Sequence, residues 1–346
     1  MKILLVKLSS LGDVVHAMPV VQDIRAALPE ARIDWVVEKS FASLLSLSPG
    51  LGRVIPCKIR RWSKAPLAAE TRREWGVFKA NLQIESYDAV LDLQGLTKSA
   101  LVARLARLSP GGKRYALANQ TDGSGYEAPT RWVADVSVRL QPHIHAVQRS
   151  RELAARALGY KISSAPDFGL NKPAAPTGRA QTAIEKVARK ITSDRIAFVH
   201  GTSRADKEWP LAHWVELGQR LISTGFDILL PHGSSKEMAT SQAIADALNA
   251  RAGSDKVGPA HVLPVLELAV LTKTLGDCAA VIGVDSGLSH IAVALDVPHV
   301  QIYNFDTCWR TGPDESSGRQ RSLFAQPTPE VEAVWQSLLA CLRASE

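Results

Sequence analysis

The chain lacks most of the short signatures that give a function away. Its 346 residues include four cysteines, Cys57, Cys278, Cys308 and Cys341, scattered with no C-x-x-C pair. That excludes a zinc knuckle and a dithiol redox centre, and suits reduced thiols in a cytosolic protein. There is no G-x-G-x-x-G and no Gly-Lys-Ser/Thr phosphate loop, so neither a Rossmann cofactor nor a P-loop is supported. No carboxylate cluster suits a metal. No window approaches the roughly 18 apolar residues of a membrane span, and the first seven residues are too short and too charged for a leader peptide. With 46% hydrophobic and 22% charged residues, the chain is neither disordered nor fibrous. Its length suits two domains. The net charge is +7, which favours an anionic partner: nucleic acid, an acidic membrane surface or a phosphorylated substrate.

Short apolar segments alternate with amphipathic ones, the pattern of β-α-β units and parallel sheets. Strands are expected at 3–6, 32–38, 54–57, 88–93, 195–200, 226–231, 279–285 and 297–303. Helices are expected at 14–28, 96–108, 145–158, 211–224, 236–249, 268–275, 289–295 and 329–342. Residues 110–112 and 119–125 carry turn and loop chemistry, with 122–125 expected as a mobile loop. Pro-rich linker sequence at 163–166 and 172–178 divides the chain into domains 1–170 and 171–346. The last helix, about 329–343, is a candidate to pack back on the first domain. In open parallel sheets ligands bind beyond the carboxyl ends of the strands, so the residues there are the candidates.

After the first strand come Ser10, Gly12 and Asp13. Asp13 suits either a helix cap or a general base, and spacing alone favours the cap. Thr202, Ser203 and Lys207 follow another strand and suit a diphosphate, with hydroxyl donors and a point charge. A solvated loop with Lys207 paired to an acid fits that segment equally well. Glu237 suits ribose hydroxyls or a first-turn helix acid. Asp285, Ser286 and Gly287 end a buried strand and open a helix, whose free N–H groups form an anion site; His290 lies one turn on. Arg60, Arg61 and Lys64 form a basic run after a strand end. Such runs are usually solvated, but this placement also suits an acidic acceptor.

Taken together, Lys7-x-Ser9-Ser10-x-Gly12-Asp13-Val14-x-His16, Ile59-Arg60-Arg61-Trp62, Asp92-x-Gln94-Gly95-Leu96-x-Lys98-Ser99 and Val284-Asp285-Ser286-Gly287-Leu288-Ser289-His290 resemble the bacterial ADP-heptose:lipopolysaccharide heptosyltransferases. The resemblance runs over nearly the whole chain and is to the members that add the first heptose to the Kdo of Kdo2-lipid A. It implies a GT-B fold, two Rossmann-like parallel-sheet domains facing across a cleft, the first binding acceptor and the second binding ADP-heptose. It also implies an inverting glycosyltransferase that needs no metal for chemistry. Asp13 matches the catalytic base, and Thr202, Ser203 and Lys207 the diphosphate loop. Glu237 matches the ribose residue; Asp285, Ser286, Gly287 and His290 match the donor-sugar and phosphate segment. Arg60, Arg61 and Lys64 match the acceptor-facing basic region, and Ser10 and Gly12, beside the base, are expected to bind acceptor as well. The enzyme is expected at the cytoplasmic face of the inner membrane, bound peripherally to its anionic surface, and not on nucleic acid. The chain departs from the family at residues 304–307, where a Pro-Thr-Asp-like turn is usual, and lacks an Arg-rich stretch at 122–130. The alternatives are addition of a later heptose, a GT-B-type nucleotide-sugar epimerase or, from another class, a nucleic-acid-binding module.

Overall fold

The computed structural model describes residues 1–170, 194–250 and 258–345. The linker expected at 172–178 lies outside them. The chain divides into two compact units, Met1–Leu170 and Asn171–Glu346.

The first unit holds β1 (Lys2–Val6), β2 (Arg32–Glu38), β3 (Leu51–Cys57), β4 (Ser86–Asp92), β5 (Arg107–Leu117) and β6 (Val136–Val138). They form one sheet in the order β3-β2-β1-β4-β5-β6, with every pair parallel. The second unit holds β7 (Arg195–Val199), β8 (Asp227–Leu230), β9 (Ala260–Val262), β10 (Ala280–Val284), β11 (His299–Tyr303) and β12 (Gln320–Phe324). Its order is β12-β11-β10-β7-β8-β9, again parallel throughout. Read from its other edge, it is the same 3-2-1-4-5-6 winding as the first sheet, the Rossmann order, twice over. The central strands are buried on both faces, as parallel sheets require: Ile3 to Val6 and Ala280 to Ile282 are 0% exposed.

Four strands were not anticipated, and each lacks the usual signal. β6 and β9 have three residues each. β12 reads Gln-Arg-Ser-Leu-Phe, polar enough to look like loop. β5 contains Pro110-Gly111-Gly112, expected as a turn; the strand bulges there, its register against β4 slipping between Tyr87 and Ala89. Gly111 sits at φ +80, and a Cβ on Gly112 would lie 2.5 Å from the Tyr87 carbonyl oxygen, so both positions need glycine.

Among the helices, the one expected at 14–28 is two, Leu11–Ala17 and Pro19–Ala27. Pro19 takes the first position of the second, where a missing N–H costs nothing. The helix Ala69–Leu82 was missed because it buries only Thr71, Phe78 and Leu82; Phe78 and Trp75 pack on Trp62. The last helix, Val331–Arg343, places Val331, Val334, Leu338 and Cys341 in the core of the second unit.

Candidate active site

In a 3-2-1-4-5-6 sheet the chain leaves the first and fourth strands in opposite directions, which opens a crevice beyond their carboxyl ends. In the first unit that point lies between Lys7–Ser10 and Asp92–Leu96. The buried Asp92 carboxylate organises it, accepting from Gln94 N (2.9 Å), Gly95 N (3.1 Å) and Ser99 Oγ (3.0 Å). The turn needs Gly95, whose φ is +80. Gln94 Oε1 in turn accepts from Leu8 N at 2.8 Å, stitching the two strand ends together.

Asp13 stands at this point with both carboxylate oxygens engaged. Oδ2 accepts from Ser10 N (3.1 Å) and Ser10 Oγ (2.9 Å), so the cap is real. Oδ1 meets Lys7 Nζ at 3.4 Å and Arg149 Nη2 at 3.5 Å. Lys7 is 2% exposed, while the Asp13 side chain keeps 39% of its surface open. Burial pushes the Asp13 carboxyl up, but the charges of Lys7 and Arg149 outweigh it and hold the group well below the ordinary carboxylate range. Burial lowers the Lys7 ammonium. Cap and functional carboxylate, set against each other in the sequence, are compatible: one oxygen caps while the other points at two cations.

A pocket of about 160 Å³ opens over Asp13, lined by Lys7, Ser10, Gln94, Lys98, Ser124 and Arg149 among others. Lys98 and Arg149 were not singled out from the sequence. Lys98 lies inside a recognised motif, so its signal was present. Arg149 sits in the amphipathic helix Ala146–Leu158, where its neighbour Arg151 is buried against Asp23 in a two-pronged pair at 2.7 and 2.8 Å. The segment expected as a mobile loop is tied down: Asp122 N donates to the Pro142 carbonyl at 2.9 Å, and the hydroxyls of Thr121 and Ser124 meet at 2.9 Å.

Gly12 is buried in the first helical turn. Arg60 and Arg61 lie on the helix Ile59–Trp62 after β3, with Lys64 two residues beyond. β3 is two strands from β1, about 10 Å at the usual strand spacing. None of the three lines the pocket. Arg60 N donates to Glu38 Oε1 at 2.8 Å and its guanidinium stacks 5.7 Å over the Phe41 ring. Arg61 pairs with Glu70 at 3.1 Å and with Glu74. Lys64 is exposed.

The second unit has the equivalent crevice between the ends of β7 and β10. Asp285, 7% exposed, is its hub. Lys207 Nζ donates to Oδ2 at 2.5 Å, and Oδ1 faces His290 Nε2 at 3.4 Å and Thr311 Oγ1 at 3.4 Å. Thr202 Oγ1 donates to the Asp285 carbonyl at 3.4 Å. Burial pushes the Asp285 carboxyl up, yet His290 and Lys207 hold it well below the usual range. Of the two readings of Lys207, the pairing with an acid is found, but the acid is another candidate residue rather than a loop neighbour.

Ser286 caps the helix Gly287–Ala294, leaving the first N–H groups of that helix open to an anion. Ser203 lies exposed in the loop before Lys207. Glu237, in the first turn after β8, accepts from Gly233 N at 2.6 Å and donates its own N–H to Ser234 Oγ at 3.2 Å. A Cβ on Gly201 would come within 2.7 Å of Glu237 Cδ, so this carboxylate lies against the end of β7. The departure at Asn304 has a structural job: its Nδ2 donates to the carbonyls of Asp206 and Glu208, both at 3.0 Å, which pins the loop bearing Lys207. Among the described residues, no three His, Cys, Asp or Glu side chains gather as a metal site.

Two crevices of like topology thus hold unlike chemistry, a carboxylate among cations in one and a cation beside a helix start in the other. Comparison with known proteins gives the family. A family profile described as "Glycosyltransferase family 9 (heptosyltransferase)" matches residues 75–337. Lipopolysaccharide heptosyltransferase 1 of Pseudomonas aeruginosa is 37% identical over 310 residues, 88% of this chain and 78% of that protein. The protein of the same name from Escherichia coli K12 is 36% identical over 311 residues, 88% of each. The solved structure of E. coli heptosyltransferase WaaC with ADP superposes with a TM-score of 0.80 at 32% identity, over 97% of this chain and 98% of that one. The chain belongs to glycosyltransferase family 9, the heptosyltransferases.

Proposed function

We propose that this chain transfers L-glycero-D-manno-heptose from ADP-heptose to the Kdo of Kdo2-lipid A, inverting the anomeric centre. The observation that carries the reading is Asp13, a carboxylate kept ionised by Lys7 and Arg149 in a cationic pocket at the first switch point. The names of the relatives, heptosyltransferase 1 in two organisms, and the ADP in the E. coli structure support the donor and the first-heptose step.

In this mechanism the Kdo hydroxyl oxygen attacks the anomeric carbon from the face opposite the diphosphate. The carbon–oxygen bond to the diphosphate breaks and ADP leaves. Asp13 takes the hydroxyl proton. Its low basicity suits a late transfer, when the attacking oxygen has already become acidic. Lys207 and the N–H groups at Ser286 and Gly287 stabilise the departing diphosphate, so no metal is assigned to the step. Thr202 and Ser203 hold the same group, Glu237 holds the adenosine ribose, and Asp285 with His290 completes the donor site.

The acceptor's carboxylates and phosphates are gripped by Lys98 and Arg149 in the pocket, with Arg60, Arg61 and Lys64 further along the same sheet edge. The net charge of +7 supports peripheral binding to anionic lipid at the cytoplasmic face; no described helix is long and apolar enough to cross a membrane.

Product analysis with ADP-heptose and Kdo2-lipid A tests the proposal. Expected are ADP and a heptosylated lipid with an α linkage. Transfer only to an already heptosylated acceptor makes the chain a later-heptose enzyme, and donor turnover without transfer favours an epimerase. Stabilisation by ADP with no response to DNA or RNA at physiological salt removes the nucleic-acid reading.

A double Arg60→Ala, Arg61→Ala variant is expected to raise the acceptor KM roughly tenfold or more, since a charged hydrogen bond contributes about 1.5–3 kcal/mol. The donor KM stays within about twofold. Added salt weakens acceptor binding more in the wild type than in the variant. Because Glu70 and Glu74 already engage Arg61, most of the effect belongs to Arg60. Normal acceptor kinetics in the double variant would make the pair an ordinary solvated face.

A further inference from the structure

In the first unit the helices Ile59–Trp62, Ala69–Leu82, Thr97–Leu105 and Pro129–Val133 share one face of the sheet. Trp62, Phe78, Val102 and, at its margin, Val133 pack in one core with Val6 and Val90. The helices Leu11–Ala17, Pro19–Ala27 and Ala146–Leu158 contribute nothing to that core and cover the other face of the doubly wound sheet. The two layers differ on their outer sides. No large apolar side chain of the second layer is exposed, whereas in the first Leu67 is 85%, Trp132 79%, Val77 67% and Leu101 48% exposed.

Helical spacing places cations among these apolar side chains. In Ala69–Leu82 the buried residues are Thr71, Phe78 and Leu82, so the opposite stripe runs through Arg72, Arg73, Gly76, Val77 and Ala80, all exposed. It carries no carboxylate, although a solvated helix face ordinarily mixes both signs. In Thr97–Leu105 the outward stripe is Thr97, Leu101 and Arg104. In Pro129–Val133 Arg131 precedes Trp132, and both are exposed. Lys79 is exposed as well. Among the described residues none of Arg72, Arg73, Lys79, Arg104 and Arg131 forms an ion pair, and the nearby carboxylates are engaged elsewhere. Arg61 and Lys58 hold Glu70 and Glu74, and Glu127 accepts from Thr97 N at 2.7 Å. Single exposed apolar residues are ordinary. Val77, Leu101 and Trp132, each on a helix with an unpaired cation in one layer, form an amphipathic surface.

We propose that this helical layer of the first unit is the face that docks on an anionic lipid bilayer, its arginines and Lys79 meeting the headgroups while Leu67 and Trp132 enter the interface. The proposal rests on the reading of the acceptor as lipid-linked. Unpaired cations interspersed with Trp and aliphatic side chains are what a headgroup layer over apolar chains accommodates. A stable protein partner instead covers a contiguous apolar centre from which charge is depleted. Nucleic acid uses the cations but gives exposed Leu and Val nothing to bury against. The layer also leads to the acceptor pocket. Lys98, in the first turn of Thr97–Leu105, lines the pocket over Asp13, and Leu101 faces outward three residues on. A sugar held at the bilayer surface thus meets the pocket at the edge of the same layer.

The test is flotation of the full chain with vesicles of phosphatidylcholine, with and without phosphatidylglycerol. The wild type is expected to bind only the anionic vesicles. A double Arg72→Glu, Arg73→Glu variant should bind them at least about 25-fold more weakly, roughly fivefold for each cation removed. Arg25→Glu with Lys161→Glu makes the same change in net charge on exposed residues outside the layer and should lose no more than about fivefold. Leu67→Ser with Trp132→Ser keeps every charge, so it should bind at low salt but dissociate at a salt concentration that leaves the wild type bound. Equal losses in the two charge-reversed variants, or a wild-type salt response in Leu67→Ser, Trp132→Ser, overturn the proposal. So does a wild type that binds a DNA duplex at physiological salt and ignores anionic vesicles. Transfer to Kdo2-lipid A separates this result from the functional reading. The Arg72→Glu, Arg73→Glu variant should be as active as the wild type on acceptor in nonionic detergent micelles and slower on acceptor in vesicles. A wild type that transfers to neither form overturns the assigned acceptor, and the flotation still decides the docking face.

Discussion

Replacing Asp13 by Ala is expected to lower turnover by about 10²–10⁴-fold, the usual worth of a general base, while ADP binding and the fold survive. The fold survives because the cap at Ser10 contributes only about 1 kcal/mol. ADP binding survives because the residues assigned to the donor all belong to the second unit, whereas Asp13 is held by Ser10, Lys7 and Arg149 of the first. Asp13→Asn is the sharper variant: it keeps the size and most of the cap but can no longer take a proton, and should be nearly as inactive as Asp13→Ala. Because Lys7 and Arg149 hold the carboxyl well below its ordinary value, it stays ionised as pH falls. No acid limb from Asp13 is therefore expected between about pH 5 and 8. Turnover of Asp13→Asn close to the wild type, in a folded protein, would reduce the residue to the helix cap that its spacing already suggested.

What the sequence made legible follows from where the chemistry sits. In a doubly wound sheet, ligands meet the turns directly after β1 and β4, and those turns are short, local and rich in small residues. Lys7 to Asp13, Thr202 to Lys207 and Asp285 to His290 could therefore be read in line. Glu237 was readable for the same reason, lying one turn past β8. Residues brought in from elsewhere were not. Arg149 reaches Asp13 from near the start of a helix 136 residues away, and in the sequence it is one more cation on an amphipathic stretch. The missed strands show the limit for fold. β5 was lost because Pro110-Gly111-Gly112 reads as a turn when it is a bulge, and only pairing with β4 tells the two apart. Arg60 and Arg61 were read as facing an acidic acceptor because they follow a strand end. That strand is β3, and only the order β3-β2-β1 reveals the two-strand separation.

Lys207→Ala should cost more than the loss of one phosphate contact, because of what it leaves behind. In the wild type Lys207 Nζ sits 2.5 Å from Asp285 Oδ2, and the carboxylate is 7% exposed. Without the ammonium, Asp285 keeps its charge beside His290 but turns a bare oxygen toward the diphosphate. Removing one member of a buried pair typically costs about 3–5 kcal/mol, much of it from the stranded charge. The expected result is a fall in kcat/KM of roughly 10²–10³-fold, with donor KM rising and kcat falling, since diphosphate charge grows as the bond to heptose breaks. Acceptor KM stays near normal. A double-mutant cycle separates the two parts of the loss. Asp285→Asn removes the stranded charge, so Lys207→Ala in that background should cost markedly less than in the wild type. Equal losses in both backgrounds would mean that the ion pair is incidental and Lys207 acts on the ligand alone. Chelation supplies a further check on the same charge: activity is expected to persist in EDTA. If EDTA abolished transfer and Mg²⁺ restored it, the positive charge that releases ADP would have to come from a metal rather than from Lys207.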